Sequence, residues 1–299
     1  MEIIRILQFW FTMTKMSTSP GVLKYTDDDV VMGNWRYPRG YDLEEVCKKI
    51  THGDGWVVLK GMFSNSDIEM AKERIFKHKF GETNGFVNRD DRHNNYTGLT
   101  WGLLSRGKIF AKIATHPIIL EVGRRLLGTR CRLSSLAANT VVPGMDGQGP
   151  HLDYPYYRHL WPQREGCMDL PANHLLALQV VTLITDFTPD NGATAIVPGS
   201  HIHPRHPDNQ EEFFKKAVQV SAQAGDVILF AGPIQHCAMP NKTSMIRSGI
   251  LQHMVPLFVT PFEKISGNGL EESNKDIRSL LATDHPHPMV KFFKNDADH

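Results

Sequence analysis

The sequence predicts a mainly β fold with flanking helices, an antiparallel sandwich or jelly roll. Three observations predict it. After about Cys131 the 299-residue chain breaks into short β-branched and apolar runs separated by turn residues. Helix signals gather in the amino-terminal part. Hydrophobic residues make up 41% against 22% charged, which supplies a substantial core and rules out a disordered or fibrous chain.

The elements follow in order. Residues 55–59, Gly-Trp-Val-Val-Leu, read as a strand bounded by Gly-rich punctuation. Ser66-Asp-Ile-Glu69 reads as a capping box opening a helix to about Lys79. Thr115-His-Pro117 opens a second helix, with Pro at a first-turn position, Ile118, Ile119, Val122, Leu126 and Leu127 at helical spacing, and Gly128 as the stop. Strands are predicted over 133–142, 175–184, 193–197, 218–221, 227–230 and 246–255. The Pro-broken stretch 202–212 reads as a surface connection, and a short helix is predicted around 271–281 in an otherwise polar tail.

Charge and cysteine usage narrow the function. Thirty-three Lys and Arg against thirty-two Asp and Glu leave a net charge of +1, so no broad field favours nucleic acid or an anionic membrane. No apolar run approaches the roughly 18 residues that span a bilayer. Cys47, Cys131, Cys167 and Cys237 form no CxxC pair, which fits a reducing, cytoplasmic setting and leaves organellar import open. No clear signal peptide opens the chain, and the sequons at Asn95 and Asn241 are of a kind expected by chance.

The chain has no phosphate-binding GxxxxGK[ST] loop, HExxH helix or GxSxG elbow, and Gly147-Gln-Gly149 lacks the third glycine of a dinucleotide site. Attention falls on the histidines. His151 and Asp153 are two residues apart, so in an extended strand both point to one face. His236, 85 residues later, is a candidate third ligand. Two imidazoles and a carboxylate on one side of a metal leave open positions opposite, the arrangement of non-haem Fe(II) oxygenases, although the same ligands suit Zn²⁺. A rival set, His201, His203 and His206, is interrupted by Pro204 and Pro207, and His285 and His287 read as solvated tail residues.

The ordered set His151-Leu-Asp153, Asn191-Gly-Ala-Thr194, Pro198-Gly-Ser-His201, Gly225-Asp226, His236 and Arg247 resembles the phytanoyl-CoA dioxygenase family of Fe(II)- and 2-oxoglutarate-dependent oxygenases, over roughly residues 55–256. The resemblance implies a double-stranded β-helix, a cupin-like jelly roll, over 55–260. Residues 1–54 are then an N-terminal extension with helical support and 261–299 a tail. It implies His151, Asp153 and His236 as iron ligands, Arg247 pairing with the distal carboxylate of 2-oxoglutarate, and Gln148 and Thr188 as further cosubstrate contacts. A planar guanidinium suits a carboxylate because it can bind both oxygens. The chain departs from the family at Ala238, where many members carry Ser or Thr, and at Asp169, where an aromatic is common. Asp153 speaks against the related halogenases, which have Gly or Ala there.

The implied reaction consumes Fe(II)-bound 2-oxoglutarate and O2, and yields succinate, CO2 and an oxidised small-molecule substrate, by hydroxylation, desaturation or ring closure, in specialised metabolism. The aromatic and basic segment after the first ligands, with Tyr154, Tyr157, Arg158, Trp161 and Arg164, is a candidate substrate lid, its arginines able to meet a substrate carboxylate. Residues 86–101 are a second candidate lid. A catalytically silent jelly-roll binding module and a zinc-dependent hydrolase on the same triad stand as alternatives, and the oligomeric state is open.

Overall fold

A computed structural model describes residues 41–81, 98–153, 175–265 and 274–282 of the chain. Two antiparallel sheets dominate these residues. The larger has the order β1 (Trp56–Leu59), β7 (Val227–Ala231), β4 (Leu178–Leu183), β9 (Arg247–Val255), β3 (Arg132–Val141) and β2 (Gly98–Thr100). The smaller has the order β6 (Val218–Gln219), β5 (Thr194–Ile196) and β8 (His236–Ala238). Each predicted strand has an observed counterpart, and the jelly-roll expectation holds.

The two sheets enclose an apolar core. Val181, Leu183, Ile228 and Phe230 of the larger sheet meet Ile196, with Phe187, Ala193, Val220, Ala222 and Ile234 from the connecting segments. The four inner strands of the larger sheet, β7, β4, β9 and β3, are buried almost throughout because helices cover its outer face. Among these helices, α1 (Leu43–Thr51) packs on β1, β7 and the later helix α4 (Pro117–Leu127), and α4 packs on β4 and β9. The α4 helix begins as predicted with Pro in its first turn, and the His116 ring caps it by accepting from the Ile118 amide. Between them, α2 (Asn65–Gly81) leans on α3 (Lys108–Ala114), whose Ala114 carbonyl receives a hydrogen bond from Gln252 on the outer face of β9. On the smaller sheet, Phe213 of α5 (Gln210–Lys216) covers Ala195, Val197 and Cys237.

Two local expectations need correction. The cap of α2 is Ser64 and not Ser66: the Ser64 hydroxyl accepts from the Asp67 amide at 3.3 Å and donates to the Asp67 carboxylate at 2.8 Å. The reciprocal pair is therefore Ser64 with Asp67, while Glu69 faces Lys72 at 3.1 Å. The capping logic was sound, but two serines compete, and the earlier one lies where the chain leaves β1. The stretch 202–212 is not wholly a surface connection either. Asn209 caps α5 by accepting from the Glu212 amide, and Glu211 and Glu212 pair with Lys215 and Lys216 one turn on. The tail helix α6 (Lys275–Leu281) is capped by Asn274 and lies inside its predicted span.

Gly225-Asp226 has a structural task. Its buried carboxylate accepts from Lys60 Nζ at 2.9 Å, the Gly61 amide at 2.8 Å and the Gln223 amide at 2.9 Å, tying the end of β1 to the turn before β7. Burial opposes ionisation, but these three donors outweigh it and hold the Asp226 carboxyl below its ordinary value. A depressed folded-state pKa stabilises the fold above the unfolded value of 3.8, and that contribution is lost as pH falls through the folded value. Asp226→Asn is expected to lower unfolding stability by about 2 kcal/mol at neutral pH. In denaturant titrations, its deficit against the parent chain should shrink once the pH drops below 3.8.

Candidate metal centre

The centre is built by one cross-strand pair. His151 and His236 exchange both backbone hydrogen bonds, each N–H to the other's carbonyl at 3.0 Å. In an antiparallel pair, residues directly opposite one another project from the same face. The two imidazoles therefore stand side by side, with ring centroids 4.4 Å apart. The pairing continues on both sides: the Gln148 amide donates to the Ala238 carbonyl at 2.8 Å, and the Asp153 amide to the Gly232 carbonyl at 3.1 Å. Asp153 follows His151 by two residues, so its carboxylate rejoins the same face. Its two oxygens lie 3.6 Å from His151 Nε2 and 3.5 Å from His236 Nε2.

The tautomers are set by the backbone. His151 Nδ1 lies 2.8 Å from the Gly149 carbonyl and His236 Nδ1 lies 3.1 Å from the Ile234 carbonyl. A carbonyl oxygen only accepts, so both Nδ1 atoms carry the proton and both Nε2 lone pairs turn to the carboxylate. The ligand atoms of His151, Asp153 and His236 all fall within 4.8 Å of one another, and this trio is the group of this kind among the described residues. Phe230 packs against the His236 ring, centroid to centroid 4.7 Å.

Electrostatics follow from burial. Desolvation lowers the His236 pKa to about 4, against the pull of Asp153, so this imidazole is neutral and ready to donate its lone pair. Burial works against protonation of His151 too, yet Asp153 and the Gly149 carbonyl outweigh it and raise its pKa. Burial likewise opposes ionisation of Asp153, but the flanking imidazoles dominate and keep it well below the usual carboxylate range.

Arg247, at the start of β9, is a buried cation, 2% exposed. Its Nη2 donates to Thr194 Oγ1 at 3.0 Å, its guanidinium carbon sits 3.7 Å over the Phe187 ring, and its Nε has no partner among the described residues. Burial depresses its pKa to about 9, so it keeps its charge at neutral pH. Ladder register places Asn139, Gln179 and His253 on the same inward face: Asn139 opposes Gly249, His253 opposes both Ser135 and Gln179, and Gln179 opposes Phe230. All three are buried, and Asn139 Oδ1 has no partner among the described residues. His253 is neutral, its pKa lowered to about 4 by burial, and it feels the Asp153 charge.

Of the other expected contacts, Gln148 lies on the segment that carries His151, half-buried. Thr188 is exposed in the turn after β4, where its amide donates to Asn191 Oδ1 at 2.8 Å. Tyr154, Tyr157, Arg158, Trp161, Arg164 and the lid residues 86–97 lie outside the described residues, as do Asp169, His285 and His287. The rival histidines do not converge. His201 is buried with Nε2 3.2 Å from the Thr51 carbonyl, in space left by Gly55, and His206 faces Asp208 at 3.3 Å. Sequence reasoning missed Asn139, Gln179 and His253, although each is a polar residue inside an apolar strand run, and took Thr194 only as part of a motif.

The fold and the trio together define a jelly-roll protein with a site of two histidines and one carboxylate. The phytanoyl-CoA dioxygenase (PhyH) family model matches residues 51–249, and the chain belongs to this family. Curated relatives include the dioxygenase ALT11 of Alternaria alternata, 28% identical over 74% of each chain, and the Fe(II)/2-oxoglutarate-dependent dioxygenase nvfF of Aspergillus novofumigatus, 27% identical over 76% of each. The match to the dioxygenase trt7 of Aspergillus terreus, 28% identical, spans 54% of each chain. Among solved structures, the non-heme alpha ketoglutarate dependent epimerase SnoN from nogalamycin biosynthesis shares the fold, with a TM-score of 0.55 and 19% identity over 72% of this chain and 81% of that one.

Gly147 closes the segment against β8. Its φ of +82° suits glycine, and a Cβ there would collide with the Ala238 carbonyl oxygen. Gly147→Ala is expected to spread the 148–153 segment from β8 and weaken Mn(II) or Co(II) binding about tenfold or more, read by metal titration.

Proposed function

We propose that the chain is an Fe(II)- and 2-oxoglutarate-dependent dioxygenase that oxidises an unactivated C–H bond of a small-molecule substrate. The outcome is hydroxylation, or desaturation or oxidative cyclisation, with release of succinate and CO2. The observation that carries the reading is the convergence of His151, Asp153 and His236 in a barrel that also buries Arg247 with no carboxylate partner among the described residues.

The residues fit the implied groups. Two Nε2 lone pairs and a carboxylate offer one face of ligands to Fe(II), and both imidazoles are oriented by backbone carbonyls. A buried guanidinium with an unspent N–H favours an anion, as the distal carboxylate of 2-oxoglutarate supplies. When bound, Fe(II) with 2-oxoglutarate and O2 supplies a two-electron oxidant: the keto acid loses CO2, one oxygen atom enters succinate and the other serves the substrate. The chain's own part is to fix the ligands, hold the cosubstrate by Arg247 and keep bulk water from the inner face with Phe230, Phe187 and Leu251. Gln148 is a further cosubstrate candidate, and Thr188 stands with it as a more distant one.

The substrate class comes from the family and its fungal relatives, which support a place in specialised metabolism. We assign the catalytic domain to 55–260, an N-terminal extension with helical support to 1–54 and a tail to 261–299, and a cytoplasmic setting. No helix among the described residues is long and apolar enough to cross a membrane. Tyr154, Tyr157, Arg158 and Trp161 form the proposed substrate lid, with arginine meeting a substrate carboxylate.

The test is succinate formation by anaerobically prepared protein supplied with Fe(II), 2-oxoglutarate and O2. Substrate-independent succinate is expected from the parent chain and none from His151→Ala, Asp153→Ala or His236→Ala. Arg247→Leu should raise the KM for 2-oxoglutarate about 30-fold or more. Full turnover in any of the three ligand variants would refute the iron assignment. Turnover with Zn²⁺ and no need for 2-oxoglutarate would favour a hydrolase on the same triad.

A further inference from the structure

Two large apolar side chains on the segment that leaves β9 stand in water: Phe258 is 71% exposed and Phe262 47%. Between them Val259 and Pro261 are only part-buried, as is Leu257 before them. The ring of Trp101, just past β2, lies against Phe262 with centroids 5.5 Å apart, so the apolar surface runs across two segments of the chain. A single exposed apolar residue is ordinary, whereas a contiguous patch marks a surface that meets something other than water.

The patch is held in place by the sheet. The Phe262 amide donates to Ser134 Oγ at 2.9 Å and the Glu263 amide to the Ser134 carbonyl at 2.8 Å. The Glu263 carboxylate accepts from the Gly102 amide at 2.9 Å and the Leu136 amide at 3.0 Å. These four bonds fasten the segment to the edge of β3 and to the exit of β2. Ser135, between the two fastened positions of β3, opposes His253 and so faces the inside of the barrel. The aromatic edge therefore borders the row of the inward face on which His253 feels the Asp153 charge.

Cations border the same edge. Arg106 Nε donates to the Trp101 carbonyl at 3.0 Å, Arg74 Nη1 donates to the Arg106 carbonyl at 3.1 Å, and Lys264 follows Phe262 by two residues, exposed. The acid of the segment, Glu263, has both oxygens engaged by amides. With a net charge of +1 over the whole chain, attraction to an anionic surface has to come from such a local group. Aromatic tips beside cations suit the boundary of a bilayer, where rings reach the acyl layer while guanidinium and ammonium groups stay with the phosphates.

We propose that this edge docks on an anionic lipid surface, with Phe258, Phe262 and Trp101 entering the interface and Arg74, Arg106 and Lys264 facing the headgroup phosphates. The docking surface is separate from the metal centre, so its test is independent of the dioxygenase reading.

The experiment is co-sedimentation of the full chain with phosphatidylcholine vesicles, plain or carrying about one part in four of phosphatidylserine. Binding to the anionic vesicles should be about tenfold tighter than to the plain ones and should weaken as salt rises. Phe258→Ser with Phe262→Ser should lower the partition coefficient about tenfold or more. Arg74→Glu with Lys264→Glu should lower it about tenfold on anionic vesicles and leave it unchanged on plain ones. All four side chains are exposed, and unaltered thermal unfolding of each variant serves as the folding control. If the double Phe variant does not fold, Phe258→Ser alone carries the comparison. No binding of the parent chain to either vesicle, full binding by the Phe variant, or equal affinity for plain and anionic vesicles would overturn the proposal. A dimer in sedimentation velocity that the Phe variant abolishes, with no vesicle binding by the parent, would overturn it in favour of a contact between two copies of the chain.

Discussion

The paired backbone hydrogen bonds between His151 and His236 are the constraint on which the site depends. They bring together residues 85 positions apart and fix them in one register, so that both imidazoles share a face. The rest follows from strand geometry. Asp153 returns to that face because strand side chains alternate, and the carbonyls of Gly149 and Ile234, each two residues before a histidine, set both tautomers by the same local device. The geometry needed by a metal is held by main-chain bonds that do not involve the metal, so binding it requires little ordering of the chain.

Arg247 is the counterpart of this anionic cluster. Two imidazoles flank the Asp153 carboxylate, whereas the guanidinium is a buried cation whose described partners are a hydroxyl and an aromatic face. Burying a charge is unfavourable unless it is compensated. The larger sheet tolerates it because Arg247 sits at the end of the long β3 and β9 pairing, where Val141 opposes it and nine residues of β9 anchor the backbone. In the dioxygenase function proposed above, that charge serves the distal carboxylate of the cosubstrate.

Much of this was legible in the sequence, for identifiable reasons. The strands stood out because β-branched runs alternate with turn residues, and the pairing of His151 with Asp153 on one face needs only a two-residue period. His236 could be nominated but not placed by spacing, since its register comes from pairing between distant segments. Asn139, Gln179 and His253 were missed because a single polar residue in an apolar run does not reveal which face it takes until a neighbouring strand sets the register. The cap of α2 went to Ser64 over Ser66 because both have a carboxylate three residues on, and only the exit from β1 decides between them. The sequon at Asn241 is spent on structure: its buried amide donates to the carbonyls of Val141 and Met245.

The alternation of β8 also separates two kinds of reactivity. His236 and Ala238 face the site, while Cys237 between them faces the opposite way, into the layer formed by Ala195, Val197 and Phe213. Burial pushes its thiol up to about 12, so it stays protonated and poorly nucleophilic. A one-residue slip of this strand would exchange the two, turning a sulfur toward the candidate metal centre and an imidazole into an apolar layer. The paired histidine bonds that bring His151 and His236 together therefore also keep the Cys237 thiol behind the sheet, because the register that presents one hides the other.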